Sequence, residues 1–370
     1  MPDNPLKQLH DAGQSIWLDF IDRTILRNGE LQRRIDNDAL TGMTSNPTIF
    51  EKALAEGTAY DDQIRSAENG HTALELFEVI ATVDVRDACD LFRPVYDQTN
   101  GEDGYVSIEV SPGAANDAKA TAVEAKRLRA TVDRPNVMVK VPGTVEGATA
   151  VRELTAQGLN INITLLFAIE AYRRVIDAYM SGLEDRVKAG KDISRIHSVA
   201  SFFVSRVDSE VDKRLGDNAG NLKGKAAIAN AKLAYKLFQE QVASPRWKAL
   251  AAKGANVQRP LWASTSTKNP AYRDVMYVEE LIGPHTVNTM PPNTIDAFRD
   301  HGIVKRTVDA NLDQAAQTIA AIEKAGVSMK DVTDKLLADG LASFQKSFDT
   351  LLGGLTTKTK SLGKELVASS

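Results

Sequence analysis

The sequence points to an α/β chain folded as a (β/α)8 barrel of the TIM type with additional helices, and three observations lead there. Short apolar runs recur along the 370 residues, and eight can be counted. Helix-length stretches with apolar residues three and four apart separate them. Strands alternating with helices make βα units and a mostly parallel sheet, and eight such units favour a closed barrel over an open doubly wound sheet.

The runs come in order as SIWLDFI (15–21), ALTGMTSNP (39–47), YVSIEVSP (105–112) and NVMVKVPG (136–143). NINITLLF (160–167), SVASFFVSRV (198–207), NVQRPLWAS (256–264) and GPHTVNTM (283–290) complete the set. The last is short and polar, and only its position recommends it. Between them, residues 118–132, 168–185 and 224–242 carry helical spacing and are rich in Ala, Leu, Lys and Glu. The interval 48–104 holds at least two helical patterns, around 60–68 and 71–92, and then the polar turn QTNGEDG. It has too few apolar residues for a core of its own and reads as a helical insertion. Residues 310–352 continue as helices, with Phe344, Phe348, Leu351 and Leu352 near one face. The expected organisation is one barrel domain over 1–355, followed by a polar tail over 356–370.

Composition narrows the function. With 45 Lys+Arg against 49 Asp+Glu, the formal charge is −4, which argues against nucleic acid as the main partner. An anionic small substrate stays possible, because one or two arginines in a cleft focus a phosphate. No 18-residue apolar run predicts a membrane span. The first 15 residues lack the apolar stretch of a signal peptide, so a cytoplasmic enzyme is the expectation. The single cysteine, Cys89, excludes a disulfide framework and a Cys-rich metal site, and the five histidines are scattered. GNLKGK (220–225) lacks the spacing of a phosphate loop. Neither a metal nor an organic cofactor is expected, and the oligomeric state stays open.

Side chains alternate along a strand, so parity within each run sorts the faces. Trp17, Asp19 and Ile21 share one face of the first run; Ser107 and Glu109 share one in the third, and Met138 and Lys140 in the fourth. Asn160, Asn162 and Thr164 follow in the fifth, and Ser201, Phe203 and Ser205 in the sixth. Charges facing inward are costly unless paired. Glu109 and Lys140 lie late in their runs, closely followed by Pro or Gly, which puts them near the C-terminal mouth where barrel active sites form. Each has a plainer reading: Asp19 as a helix cap or an arginine partner, Glu109 and Lys140 as a structural ion pair, Asn162 and Thr164 as partners of loop backbone. Taken together at one barrel end they make a candidate site. Arg206 has the wrong parity for the sixth strand; if that strand ends near Val204, Arg206 lies in the next loop and reaches over the mouth.

Burial disfavours an ammonium and makes a free amine available, and such an amine attacks a ketone to form a Schiff base. The protonated imine then accepts electrons as an adjacent C–C bond breaks. Nearby carboxylates move protons, amides hold hydroxyls, and an arginine holds a phosphate.

The segments IWLDFI, GMTSNPTIF, VSIEVSP, VMVKVPGTVEG, LNINITLLF, VASFFVSR and RPLWASTSTKNP together resemble the transaldolase family, in its longer bacterial type. The resemblance covers about residues 15–270 and extends to VDANLDQA (308–315) and the C-terminal helices. It implies a Schiff-base lysine at Lys140, a proton-transfer aspartate at Asp19, a glutamate at Glu109 and a water-holding threonine at Thr164. It implies substrate-binding roles for Asn46, Asn162, Ser201 and Phe203 and a phosphate-binding arginine at Arg206, with phosphorylated sugars as substrates. The implied activity moves a dihydroxyacetone unit between ketose and aldose phosphates of the pentose phosphate pathway. In related fructose-6-phosphate aldolases a tyrosine stands where Phe203 does, so Phe203 favours transfer over net cleavage. The alternatives are such an aldolase and a non-enzymatic sugar-phosphate-binding barrel. The chain departs from the family pattern in SFFVSR, where many relatives have SPFVGR. For the second phosphate-binding residue, Arg259 and Lys268 are candidates.

Overall fold

The computed structural model describes residues 4–55, 57–68, 70–216 and 220–367; residues 1–3 of the expected domain and 368–370 of the expected tail lie outside the described residues. Among the described residues eight parallel strands close in sequence order: β1 (Gln14–Asp19), β2 (Leu40–Thr44), β3 (Val106–Glu109), β4 (Val137–Pro142), β5 (Ile161–Leu166), β6 (Ser198–Phe203), β7 (Gln258–Ala263) and β8 (Thr286–Met290). β8 pairs with β7 and β1, so the polar HTVNT run is a strand because two open edges need covering.

The alternation inferred from parity separates two cores. Val137, Val139 and Val141 of β4, with Ile161 and Ile163 of β5, pack outward against the helices. Trp17, Met138, Val199, Leu261 and Val287 fill the barrel. Phe202 and Trp262 belong to the outer core, their rings edge to face at 6.4 Å. Gly42 makes room for Trp17: a Cβ there would come within 2.5 Å of the indole. Two parity assignments fail where a strand is shorter than its run. β1 stops at Asp19, and Ile21 beyond it turns into the outer core. β6 stops at Phe203, and Ser205 instead opens the helix Ser205–Leu215, its hydroxyl 2.9 Å from that of Ser264.

The interval 48–104 folds as helices Pro47–Ala55, Asp61–Ser66 and Ala73–Gln98. The last starts with a capping box, in which Thr72 and Glu75 satisfy each other's backbone N–H. The final helix, Met329–Ser361, runs past the boundary expected at 355. Leu355 and Thr359 are buried, and Lys358 Nζ donates to the carbonyls of Leu54 and Gly57 at 2.9 and 2.8 Å. These contacts hold the start of the expected tail in the helix. No helix among the described residues is long and apolar enough to cross a membrane.

At the N-terminal end of the barrel polar side chains form a network beside a second cavity of about 310 Å³ lined by Met138, His197, Val199 and Arg259. Asp103 accepts from Trp17 Nε1 at 2.8 Å and from Ser15, and Arg259 lies 3.6 Å from the same carboxylate. Arg259 stands early in β7 and donates to Ser15 Oγ at 2.8 Å and to the Glu102 carbonyl at 3.1 Å, far from the mouth. That removes it as a candidate second phosphate ligand. His197 packs beside Tyr105, with ring centroids 5.6 Å apart, and its Nε2 has no hydrogen-bond partner among the described residues. Burial, reinforced by the charge of Arg259, pushes the imidazole down from 6.5 to about 4.

Because the folded state binds this proton less readily than the unfolded chain, His197 contributes stability that is present above pH 6.5 and lost as pH falls toward 4. The shift corresponds to about 3 kcal/mol. Denaturant unfolding at pH 7 and pH 4.5 is expected to show a smaller acid loss for His197→Gln than for the parent; equal losses contradict the assignment.

Candidate active site

The C-terminal ends of the strands open on a cavity of about 510 Å³. Asp19, Asn46, Glu109, Lys140, Thr164, Ser201, Phe203 and Arg206 all line it. These are eight of the nine residues singled out from sequence; Asn162 is the exception.

Strand register brings the charges together. Glu109 of β3 is directly paired with Lys140 of β4, so adjacent strands present both side chains to the interior. Lys140 Nζ lies 3.4 Å from Glu109 Oε2 and 3.3 Å from the Ser45 carbonyl, with the lysine only 7% exposed. Lys140 and Glu109 form the cross-strand ion pair of the plainer reading, and the cavity lies beside it. Asp19 ends β1 and accepts from Thr44 Oγ1 at 2.8 Å; Thr289 Oγ1 is 2.7 Å from the same hydroxyl. With its one proton given to Asp19, Thr44 accepts from Thr289.

Burial raises the carboxyl of Asp19 above its ordinary range, against the opposing effects of Lys140, the Thr44 hydrogen bond, Arg206 and Lys268. Burial also raises Glu109, against the charge and hydrogen bond of Lys140. Two carboxyls inclined to hold protons beside a primary amine form an acid–base set suited to amine attack on a carbonyl.

β5 departs from regular alternation. Leu165 is left-handed at φ 58°, and the β5–β6 register shifts between Ile163 and Leu166. Thr164 and the next residue, Leu165, therefore both face the cavity. Asn162 sits one layer lower and is fully buried, its Oδ1 accepting from Ser201 Oγ at 2.7 Å and its Nδ2 donating to Ser107 Oγ at 3.0 Å. It holds Ser201, and the serine hydroxyl meets the cavity. Asn46 opens the helix Pro47–Ala55, its Oδ1 accepting from Ile49 N at 3.1 Å.

Arg206 occupies the first turn of the helix Ser205–Leu215, where a loop was expected. Its guanidinium lies over the Phe203 ring, 5.1 Å from the centroid. Lys268, in the loop after β7, lines the same cavity and donates to Ser266 Oγ at 2.8 Å. Burial lowers the affinity of both cations for their protons, and Arg206 adds its repulsion to Lys268. Two cations lining one cavity form a ready site for an anion.

Sequence reasoning missed Thr44, Thr289, Lys52 and a whole wall. Thr44 was reachable, since parity in LTGMT puts it with Gly42 on the interior face. The wall is the final helix, which brings Gly340, Ser343, Phe344 and Ser347 to the cavity. Gly340 sits close enough to Leu165 that a Cβ would come within 3.0 Å of Leu165 Cδ2. No local signal marks such long-range packing.

A buried lysine paired with one carboxyl and sharing a cavity with a second, at the C-terminal mouth of a parallel barrel, fits the class of enzymes that work through an amine. Within that class, the family model for transaldolase/fructose-6-phosphate aldolase matches residues 16–355. The chain is 51% identical to the transaldolase of Thermobifida fusca over 355 residues, covering 94% of this chain and 96% of that one. It is 50% identical to the transaldolase of Frankia alni over 357 residues (95% and 96% covered) and 46% identical to that of Trichodesmium erythraeum over 377 (98% and 99% covered). The chain belongs to the transaldolase/fructose-6-phosphate aldolase family.

The Thr44 hydroxyl favours ionised Asp19, so its removal lets Asp19 take up a proton at higher pH. For Thr44→Val, the acid limb of the kcat/KM profile for sugar turnover is expected to move upward by up to about one pH unit. A limb that stays in place or moves down would mean that Asp19 does not set it.

Proposed function

We propose that the chain is a transaldolase. It moves a dihydroxyacetone unit between sedoheptulose 7-phosphate/glyceraldehyde 3-phosphate and erythrose 4-phosphate/fructose 6-phosphate, as a cytoplasmic enzyme of the pentose phosphate pathway. The observation that carries this reading is the position of Lys140 Nζ, buried between Glu109 and the Ser45 carbonyl at the edge of a cavity that also receives Asp19 and Thr164.

The attacking species is the free amine, and Glu109 at 3.4 Å is placed to take the ammonium proton. Lys140 adds to C2 of the ketose phosphate, and the carbinolamine loses water. Glu109 serves that step through a water held with Thr164. Asp19 then takes the proton of the C4 hydroxyl as the C3–C4 bond breaks. The bonding electrons pass into the iminium, leaving an enamine on Lys140 and releasing an aldose phosphate. The enamine adds to the acceptor aldose, and hydrolysis of the new imine frees the product. Asn46 and Ser201, the latter held by Asn162, bind the hydroxyls of the retained unit and keep it oriented.

Arg206 and Lys268 receive the phosphate. Their shared cavity, and the repulsion between them that an anion relieves, favour Lys268 as the second phosphate ligand. Phe203 offers no hydroxyl to protonate the enamine, which favours transfer over release of free dihydroxyacetone.

Purified protein given fructose 6-phosphate and erythrose 4-phosphate is expected to form sedoheptulose 7-phosphate, with little free dihydroxyacetone when the acceptor is withheld. Equal release without acceptor would make the chain an aldolase, and absence of turnover would leave only a binding barrel. Arg206→Ala and Lys268→Ala are each expected to raise KM for phosphorylated ketoses by about tenfold or more, as loss of a charged contact requires. Equal effects on unphosphorylated fructose would remove that residue from the phosphate site.

A further inference from the structure

The helix that carries Arg206 also holds the loop that carries Lys268. Asp208 and Asp212 stand one turn apart on the helix Ser205–Leu215, and each carboxylate makes the same pair of bonds. Asp208 accepts from the backbone N–H of Ala227 at 2.7 Å and from the Tyr277 hydroxyl at 2.8 Å. Asp212 accepts from the backbone N–H of Gly224 at 2.9 Å and from the Tyr272 hydroxyl at 2.7 Å. The two tyrosines belong to the segment that follows β7, so two carboxylates on one helix tether the far side of the mouth.

Tyr272 is the tether nearer the site. Between it and Lys268 the chain makes a tight turn: Asn269 accepts from Ala271 N through its side chain at 3.0 Å and from Tyr272 N through its carbonyl at 3.1 Å. The Tyr272 ring packs on Gly224, where φ is +69° and a Cβ would come within 2.7 Å of the ring carbon Cζ. The ring has a shaped seat as well as a hydrogen bond. At its other end the loop is joined to the same helix, with Ser205 N donating to the Ser264 carbonyl at 3.1 Å. Ser264, Ser266 and Lys268 thus project into the cavity from a segment fixed at both ends to the element bearing Arg206.

We infer that Tyr272, held by Asp212, is a positioning residue for phosphate recognition: it sets Lys268 against Arg206 and so determines the preference for phosphorylated over unphosphorylated ketoses. The inference rests on the reading of Arg206 and Lys268 as the phosphate site. Neither Tyr272 nor Asp212 lines the cavity, so the effect passes through the loop.

The test compares fructose 6-phosphate with fructose as donor, using full-length protein and the variants Tyr272→Phe and Asp212→Ala. Tyr272→Phe, which loses one hydrogen bond, is expected to raise KM for fructose 6-phosphate about fivefold, and Asp212→Ala, which also loses the bond from Gly224 N, by at least as much, while kcat stays within about twofold. The kcat/KM for fructose is expected to stay at the parental value, and the double variant to be no worse than the more impaired single one. Equal losses on both donors, or no change on either, overturn the inference, and Asp212→Ala decides the matter should Tyr272→Phe fold poorly. Arg206→Ala in the same assay separates the two layers. If it leaves the phosphate preference intact, the phosphate-site reading itself fails; if it abolishes the preference while Tyr272→Phe preserves it, the positioning role alone fails.

Discussion

One amine buried inside the mouth of a barrel constrains everything around it. Taking an ammonium-sized charge out of water costs several kcal/mol even after relaxation, and only close partners offset that. Lys140 has two, the Glu109 carboxylate and the Ser45 carbonyl, supplied by β3 and by the turn after β2. The direct pairing of Glu109 with Lys140 across neighbouring parallel strands depends on barrel closure at this register. A slip by one residue would send both charges into the apolar layer beneath the helices. Asp19, across the cavity, feels the same amine and is further held by the Thr44–Thr289 hydroxyl pair.

The barrel separates rigidity from chemistry along its axis. At its N-terminal end Asp103 ties Ser15, Trp17 and Arg259 together. Above it lies an apolar layer containing Trp17, Met138, Val199, Leu261 and Val287. The top layer carries the amine and two carboxyls, with Arg206 and Lys268 lining the same cavity. The side walls come from outside the strand repeat: the helix Pro47–Ala55 with Lys52 and the final helix with Phe344. A shared βα framework therefore supplies the amine and its proton acceptors, while added helices shape the space for substrate.

Much of this was legible in the sequence because two rules are strong. Alternation within runs places Asp19, Glu109, Lys140 and Thr164 on interior faces, and their lateness in each run places them at the mouth. The same rule, applied to Arg259, marks it as early in its run and so at the N-terminal end, which explains why it and Lys268 part company. It likewise places Asn162 a layer below Thr164. Parity fails where strands stop short, as at Ile21 and Ser205, because the residue beyond a strand end obeys its turn or helix. The left-handed Leu165, the wall formed by Met329–Ser361 and the carboxylate–tyrosine tethers arise from contacts between segments distant in sequence, and no short-range pattern encodes them.

The most direct measurement is mass spectrometry of the protein after borohydride reduction in the presence of fructose 6-phosphate. The expected result is a three-carbon adduct on the peptide containing Lys140. Reduction that leaves Lys140 unmodified, or that places the adduct on another lysine, would contradict it.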